Sequence, residues 1–445
     1  MTGQFAEDPR PKRLLVQDKV RLLDVEEKHN RVRALLESVG VDALLLQDAA
    51  NIAWFTAGAD LNRLASDSCH TSVFITAEAR LFATNAVDSA QIFEREAFGL
   101  GFQLKQREWF QPHRELIRDL CRGRKVASDV AFPETKCVCD EIREIRVPLT
   151  PLEVDRMRRL SLVATHAVEA AAHNLCVGTT EAKVAGEVAH RLVKRTVTPV
   201  RIQVCADGRN DRYRHWTFGE DRIEKYASIS CVARRWGLRV GVSRTACLGD
   251  VPEEIWDAHQ KAVLMLATGL FFSRAGRTLD EVWQKVRRIY EKFGLPSEWQ
   301  KADQAELVGF SLCEQQLLPG STYEIPAAVA MHWHPSVGPA MTGDTMLIEK
   351  SSVRRLTISD SWPELTVFVK GHPVPCPGLL KVRSDSMPVA TDDSTSSAIS
   401  PLLDASGVTE ESLPPMDSIW ELDAQSDQLV FEEEDSPYPE ESVLE

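Results

Sequence analysis

The acidic residues of this chain are unevenly distributed, and their distribution limits how much of the chain can form a packed fold. The 445 residues include 52 Lys and Arg against 66 Asp and Glu. Residues 384–445 hold 17 of the acidic residues and no Lys or Arg, so residues 1–383 carry 52 basic against 49 acidic side chains. The tail is rich in Ser, Pro, Asp and Thr and has little hydrophobic periodicity, a composition typical of disorder. We therefore expect the folded part of the chain to end near Arg383.

Composition and the first residues narrow the class of protein. A net charge of −14 disfavours a nucleic-acid binder, because such proteins neutralise phosphates with Lys and Arg. The chain begins with polar and charged residues where a signal peptide would be apolar, and no later run approaches about 18 apolar residues. Of the ten cysteines only Cys137 and Cys139 lie close together, at a spacing that fits neither a zinc knuckle nor a redox pair. These features predict a cytoplasmic protein with reduced thiols and no membrane partner.

Hydrophobic periodicity predicts an N-terminal arm over residues 1–18 and an α/β domain over residues 19–149. A polar break with prolines near Thr150 predicts the end of that domain and the start of a long helix. The segments that support the domain are a helix over 19–39 ending before Gly40, a strand over 43–46 and a β-like stretch over 72–83.

Residues 150–383 predict a second, α+β domain in which two helix pairs cover a curved antiparallel sheet. A turn through Arg234–Gly237 predicts a β-hairpin, and Thr278 with Glu281 forms the sequence pattern of a capping box. The predicted elements are helices over 152–175 and 180–194, strands over 199–205, 226–233 and 238–247, helices beginning at Pro252 and Thr278, and short β segments over 321–370.

The order of these features resembles the pita-bread metallopeptidases, the superfamily of Xaa-Pro aminopeptidase, prolidase and creatinase. The segment RVRALLESVGVDALLLQDAANIAWFTAG is similar to the creatinase-type N-terminal domain, and Thr150–Gly371 follows the order of the catalytic domain. The resemblance covers roughly residues 25–375. It implies a hydrolase fold, a homodimer, and a site where two divalent cations about 3.5–4 Å apart polarise a carbonyl and activate water.

The resemblance also implies five metal ligands (two Asp, one His and two Glu), and this sequence departs from all five. Gly237, Arg244 and Thr245 match the family's hairpin spacing, which places the two Asp positions on Ser230 and Gly241. The remaining positions fall on Asp303 for the His, as the least certain match before Gly309, on His334 for the Glu of a Glu-Pro pair, and on Gly343 for the last Glu. We therefore expect no metal and no other cofactor at this site. A single ion held by His332, His334 and Asp303 is the less favoured alternative.

Part of the family's substrate pocket has a counterpart in this sequence. Asn210–His215 resembles the segment whose histidine contacts substrate, which makes His215 the candidate catalytic residue, acting as a general base. The other candidate substrate-binding residues are Arg214, Arg244, His332 and His334. The arginines between residues 209 and 235 form either a solvated basic face or a binding site for a carboxylate, from a peptide ligand or from the acidic tail.

These features leave three functions open. The favoured one is a pseudo-peptidase that has lost its dinuclear metal site and binds a peptide or a small amide-containing ligand. The second is a metal-independent C–N hydrolase of creatinase or Xaa-Pro dipeptidase type that uses His215. The third is a purely structural or interaction role, in which the acidic tail docks on the body or on another protein.

Overall fold

The computed structural model describes residues 17–61 and 70–383. The chain divides into two compact units between Arg146 and Val147. The predicted acidic tail, and all but the last two residues of the predicted N-terminal arm, lie outside the described residues. Within the described residues, no helix combines the length and the apolarity needed to cross a bilayer.

The first unit is built on a six-stranded mixed sheet with the strand order β4-β3-β2-β1-β5-β6. Its helices are α1 (Lys19–Val39), α2 (Ala49–Phe55), α3 (Ser89–Gln91), α4 (His113–Cys121) and α5 (Cys139–Arg146). Its strands are β1 (Ala43–Leu46), β2 (Ser72–Thr76), β3 (Arg80–Asn85), β4 (Gln103–Arg107), β5 (Val126–Ser128) and β6 (Thr135–Cys137).

Helix α1 has the bounds that its local sequence predicts. The Asp18 side chain caps its first turn by accepting from the Arg21 amide at 3.0 Å. Gly40 ends it with a φ of 73°, a left-handed conformation that glycine adopts readily. All four residues of the following strand β1 are buried, because it lies in the middle of the sheet.

The second unit contains two larger, mostly antiparallel sheets and four long helices. The helices are α6 (Pro151–His173), α7 (Glu181–Val193), α8 (Glu253–Phe272) and α9 (Leu279–Lys292). One sheet comprises β7 (Thr198–Ala206), β8 (Tyr226–Arg235), β9 (Leu238–Leu248) and β19 (Leu380–Val382). The other comprises β10 (Ala305–Val308), β11 (Gln315–Gln316), β12 (Val329–Trp333), β15 (Asp344–Ile348) and β16 (Val353–Arg355). Two small hairpins complete the unit, β13 (Ser336–Val337) with β14 (Ala340–Met341) and β17 (Glu364–Val369) with β18 (His372–Pro377).

The predicted α+β architecture is confirmed. Helix α6 packs on β8 and β9, α7 packs on β7, and α8 pairs with α9. The predicted capping box is present, since the Thr278 hydroxyl accepts from the Glu281 amide and the Glu281 carboxylate accepts from the Thr278 amide. Thr150 and Glu153 form a second box at the start of α6.

The predicted hairpin is formed by β8 and β9. Arg235 pairs with Leu238, so the loop consists of Trp236 and Gly237 alone. Both loop residues have positive φ, 54° and 79°, as a two-residue turn requires if it is to follow the right-handed twist of the strands. This tight turn fixes the register of the hairpin, which pairs Ser230 with Ser243 and Val232 with Gly241.

Helix α8 packs closely on the sheet that contains β12, and a glycine allows the close contact. A Cβ placed on Gly269 would lie 2.6–2.7 Å from ring atoms of Trp333, a fully buried side chain on β12. The Trp333 indole also donates to the Ser273 hydroxyl at 3.1 Å, so the ring has a hydrogen-bonded position beneath the helix. Gly269 is therefore needed for close packing.

We predict opposite effects for alanine at two helical glycines. Gly269→Ala forces the Trp333 ring to move and should lower the free energy of unfolding, overpacking of this kind costing about 1–3 kcal/mol. In the Gly186→Ala variant on α7, the added Cβ meets no atom within 4 Å. This change should raise the free energy of unfolding by about 0.5–1 kcal/mol, because alanine is the better helix former. Urea unfolding of both variants checks the pair, and a stabilised Gly269→Ala variant would contradict the packing described above.

Candidate ligand-binding site

The candidate site lies where the two large sheets of the second unit meet. Ser243 on β9 forms an isolated antiparallel bridge to Gly343, which directly precedes β15. The Ser243 amide donates to the Gly343 carbonyl at 3.0 Å. The Thr345 hydroxyl donates to the Gly241 carbonyl at 2.7 Å and accepts from the Gly241 amide at 3.1 Å. These bonds bring the predicted hairpin positions against the later β segments.

The hairpin offers hydroxyl groups and a bare backbone at this junction. Ser230 and Ser243 are directly paired across β8 and β9, and the Ser243 hydroxyl donates to that of Ser230 at 2.9 Å. Gly241 is two residues from Ser243 and therefore lies on the same face of its strand. Because neither Ser230 nor Gly241 has a carboxylate, this face supplies no anionic metal ligand.

The space in front of Gly241 is filled by an imidazole. A Cβ on Gly241 would lie 2.3–2.7 Å from three atoms of the His332 ring, closer than real Cβ contacts occur. His332 is only 1% exposed and its Nε2 has no hydrogen-bond partner among the described residues. A side chain at position 241 and the His332 ring cannot both occupy this space.

Gly343 is similarly enclosed. A Cβ at this position would lie 2.9 Å from the Trp333 carbonyl oxygen, 3.1 Å from the Ser243 hydroxyl and 3.2 Å from the His334 Cβ. A longer acidic side chain here would require the neighbouring backbone to shift. The two glycines thus permit the close approach of β9, β12 and β15.

Two imidazoles share one carboxylate at the centre of the site. Glu306 on β10 pairs directly with His332 on β12, and His332 Nδ1 lies 2.9 Å from Glu306 Oε1. His334 lies two residues on, and its Nε2 is 2.6 Å from Glu306 Oε2. The two rings are tilted by 32° with centroids 4.7 Å apart. Each carboxylate oxygen therefore has an imidazole N–H available as donor.

The charges in this cluster are set by competition between burial and pairing. Burial alone would raise the pKa of Glu306, but the charge of His334 and hydrogen bonds from both imidazoles lower it well below its ordinary range. Burial lowers the pKa of His332, which favours the neutral ring. For His334 burial also acts to lower the pKa, yet the Glu306 carboxylate outweighs it and the pKa is raised. The geometry favours an ionised Glu306, a protonated His334 and a neutral His332.

Sequence reasoning missed Glu306. The family's histidine is expected shortly before Gly309, and Asp303 was the nearest match, whereas Glu306 lies three residues before Gly309 on the buried strand β10. One signal could have identified Glu306. It is an acidic residue inside a buried strand of four residues, and a buried carboxylate needs a partner.

A small cavity that is open to solvent adjoins the cluster, and the space in it that water can occupy is about 20 Å³. Among the predicted site residues it is lined by Ser230, Asp303, His334, His215 and Arg214. The lining also includes Arg201, Gln203, Asn210, Ala302, Ser336 and Met341. Gly241, Gly343, His332 and Arg244 do not line it.

His215 lies at the solvent side of this cavity. Its side chain is 64% exposed, and its Nε2 is 3.6 Å from Asp303 Oδ1. Asp303 also lies 3.9 Å from His334 Nε2, so it stands between the exposed and the buried imidazole. Both distances are longer than a hydrogen bond, and the Asp303 carboxylate remains accessible to a ligand.

Arg214 lines the cavity, but its guanidinium is held by the protein. It lies 2.6 Å from Glu298 and 3.3 Å from Asp211, and it donates to the Gly338 carbonyl at 3.0 Å. Arg209 is likewise paired with Asp221 at 2.5 Å. The predicted arginine-rich segment is thus partly neutralised by its own carboxylates, which weakens its case as a free basic face.

The assignment of Arg244 and His332 as ligand-binding residues is corrected by the structure. Arg244 is 3% exposed, lies 2.9 Å from both Glu169 and Asp344, and donates to the Thr357 carbonyl at 2.7 Å. Its donors are used within the core, where it holds β9 to the segment after β16. His332 is buried behind the cavity lining, so neither residue can contact a ligand directly.

The residues present do not fit a pair of divalent cations. Two hard cations need several carboxylates to offset their charge. The five inferred positions supply one carboxylate, Asp303, and one imidazole, His334, which is already paired with Glu306. Glu306, His332 and His334 do place their ligand atoms within 4.8 Å of one another, but in an arrangement satisfied by hydrogen bonds.

We predict that the stability contributed by His334 depends on pH in a defined window. Glu306, whose pKa is lowered on folding, contributes stability that is present above pH 4.5 and is lost as the pH falls through its folded pKa. His334, whose pKa is raised on folding, contributes stability that is present below pH 6.5 and is lost as the pH rises through its folded pKa. The difference in free energy of unfolding between wild type and His334→Gln should therefore be largest between pH 4.5 and pH 6.5.

Urea unfolding across the pH range tests this window. His372→Gln, a change at an exposed histidine on β18, serves as the control and should show no such maximum. A wild-type to His334→Gln difference that is flat from acid to alkaline pH would contradict the assigned charges.

Comparisons with known proteins agree with this architecture. Residues 155–349 match the sequence model of metallopeptidase family M24. No curated protein matches the chain by sequence.

Solved structures match most of the chain at low sequence identity. A Xaa-Pro dipeptidase from Bacillus anthracis is similar with a TM-score of 0.66 and 16% identity, over 80% of this chain and 100% of that one. The prolidase from Pyrococcus horikoshii OT3 gives 0.65 and 18%, over 75% and 99%. The N-terminal domain of FACT complex subunit SPT16 from Cicer arietinum gives 0.57 and 11%, over 76% and 95%. Residues 155–349 thus match metallopeptidase family M24, and the described residues share the pita-bread fold of the Xaa-Pro dipeptidases and prolidases.

Proposed function

We propose that this chain is a pseudo-peptidase of the M24 family that has lost the dinuclear metal site and binds a peptide or a small amide-containing ligand. The observation that carries the proposal is the His332 ring packed against Gly241, where the resemblance places a metal-binding carboxylate. A side chain at position 241 would overlap the ring. This chain therefore differs from the family pattern in the packing of the site as well as in the identity of one residue.

The Glu306 cluster supports the same proposal. Its carboxylate accepts hydrogen bonds from two imidazoles, and a metal ion would have to displace both before it could bind. Protonation of His334 also removes the lone pair of a nitrogen that would otherwise be a ligand. The cluster therefore favours an ion-free site at pH 6.5 and below.

The adjoining cavity supports a binding role. The space in it that water can occupy is about 20 Å³, room for about one water molecule, so a ligand would insert one small polar group and extend into solvent. Its lining contains a partly exposed carboxylate, arginine side chains and amides, which are groups that bind polar ligands. Docking of the acidic tail, homodimer formation and a cytoplasmic location stay predictions.

We predict that the purified chain contains no pair of tightly bound divalent ions. Elemental analysis after incubation with Zn²⁺, Mn²⁺ or Co²⁺ and removal of free metal measures this directly. The Glu306→Gln variant should give the same metal content as wild type, because Glu306 is already neutralised by imidazoles. Two retained ions per wild-type chain would overturn the proposal.

A second candidate function is a metal-independent C–N hydrolase that uses His215. The observation that favours it is the placement of His215 beside Asp303 at the open side of the cavity, with 3.6 Å between Nε2 and Oδ1. In this reaction neutral His215 takes a proton from water, the water oxygen attacks the amide carbonyl, and the proton passes to the leaving amine. Asp303 orients the ring and stabilises the imidazolium that forms.

We predict no hydrolysis of Xaa-Pro dipeptides by the purified chain, with or without a chelator, since the five inferred ligand positions supply only one carboxylate and one imidazole for a metal pair. Amine release measured over a range of dipeptides checks this. Chelator-resistant release that is abolished in His215→Ala and retained in Arg212→Gln, a change at an exposed nearby residue, would establish the second candidate instead.

A further inference from the structure

Most polar side chains that line the cavity have partners within the protein. Arg214 is paired with Glu298, His334 is paired with Glu306, and the Ser230 hydroxyl accepts from Ser243. The Gln203 amide nitrogen donates to the carbonyls of Arg214 and Trp216, at 3.3 and 3.0 Å. These groups are used to hold the cavity wall.

Arg201 is an exception. It lies on β7 opposite Val232, half-buried, with its Nε shielded from solvent and lacking a hydrogen-bond partner among the described residues. No carboxylate in the described part of the chain forms an ion pair with it. Its charge is close enough to act on both His332 and His334, where it opposes protonation. A partly desolvated guanidinium without a counter-ion is unfavourable, and an anion in the cavity would relieve that cost.

Asn210 is the second exception, and it has the opposite polarity. It is 2% exposed, and its Nδ2 donates to the Pro339 carbonyl at 2.7 Å. That bond fixes the orientation of the amide, because the carbonyl oxygen can only accept. The Asn210 Oδ1 is left buried without a donor among the described residues, and leaving a buried acceptor unpaired is costly.

We propose that the cavity binds a ligand that carries both a carboxylate and an N–H donor, as the C-terminal residue of a peptide or an N-acylamino acid does. The carboxylate pairs with Arg201, whose planar guanidinium can donate two parallel hydrogen bonds, and the N–H donates to Asn210 Oδ1. The inference rests on the proposed binding function and names its ligand class. It also disfavours proline at the bound residue, since a peptide bond to proline has no N–H.

The nearby carboxylates limit the charge of the ligand. Asp303 lines the same cavity and Glu306 lies behind it, so a ligand with two negative charges meets repulsion that a monocarboxylate does not. Among small anions this favours a carboxylate over phosphate. The unpartnered Arg201 guanidinium and the buried, unpartnered Asn210 Oδ1 match one functional group of the ligand each.

Three small probes separate the two contacts. N-acetylglycine has the carboxylate and the N–H, N-acetylglycinamide lacks the carboxylate, and N-acetylsarcosine keeps the carboxylate but has a methyl group in place of the N–H. Titrations followed by NMR at low salt, with probe concentrations up to about 10 mM, cover the affinity expected of such fragments. We expect N-acetylglycine to bind most tightly, N-acetylsarcosine more weakly, and N-acetylglycinamide and inorganic phosphate least.

Variants test the assigned residues. Arg201→Gln should weaken N-acetylglycine binding by about tenfold or more, because a charge-assisted pair is lost, and Arg201→Lys should retain part of the affinity. Arg212→Gln removes one exposed positive charge from the nearby loop without touching the cavity lining and should leave binding unchanged. Asn210→Ala should abolish the preference for N-acetylglycine over N-acetylsarcosine.

The contradicting outcomes distinguish this inference from the proposed function. If the chain retains no metal pair and hydrolyses nothing, but wild type fails to bind N-acetylglycine or binds N-acetylglycinamide equally well, only the ligand class is wrong. Equal binding by Arg201→Gln and Arg212→Gln would likewise overturn the role of Arg201. Two retained ions per chain, or Xaa-Pro turnover, would overturn the proposed function whatever the probes do.

Discussion

The candidate site depends on the Glu306 carboxylate held between the imidazoles of His332 and His334. The direct pairing of Glu306 with His332 across β10 and β12 sets one contact, and the two-residue repeat of the strand brings His334 to the same side. The shared carboxylate positions the His332 ring over Gly241, and His334 in the wall of the cavity. One buried pairing thus fixes the shape of the site and also its charge.

Features that arise from local sequence were predictable. The end of α1 at Gly40, the Thr278–Glu281 capping box and the two-residue turn through Gly237 are each set by a few adjacent residues with specific backbone or capping preferences. The sheet order and the register that pairs Glu306 with His332 join segments far apart in the chain. No local pattern specifies such a pairing, which is why Glu306 was missed and Asp303 was assigned in its place.

The same distinction explains the corrected residues. Arg244 follows the family's spacing and so was expected at the ligand, but its charge is satisfied by Glu169 and Asp344, from a distant helix and strand. Arg201 and Asn210 stand out only after the pairing of every cavity residue is known, since an unpartnered group is a property of the packed structure. The family resemblance located the cavity, and the pairing of its side chains indicates what the cavity binds.

The central claim is that hydrogen-bonded imidazoles stand in place of a dinuclear metal site, and the ¹⁵N resonances of the imidazoles test it most directly. At pH 6.5 the Glu306 pairing predicts a mostly protonated His334 and a mostly neutral His332 with its proton on Nδ1, both unchanged when Zn²⁺ is added in slight excess over protein. A neutral His334, with ring nitrogens that shift to metal-bound positions as Zn²⁺ is added, would contradict the claim.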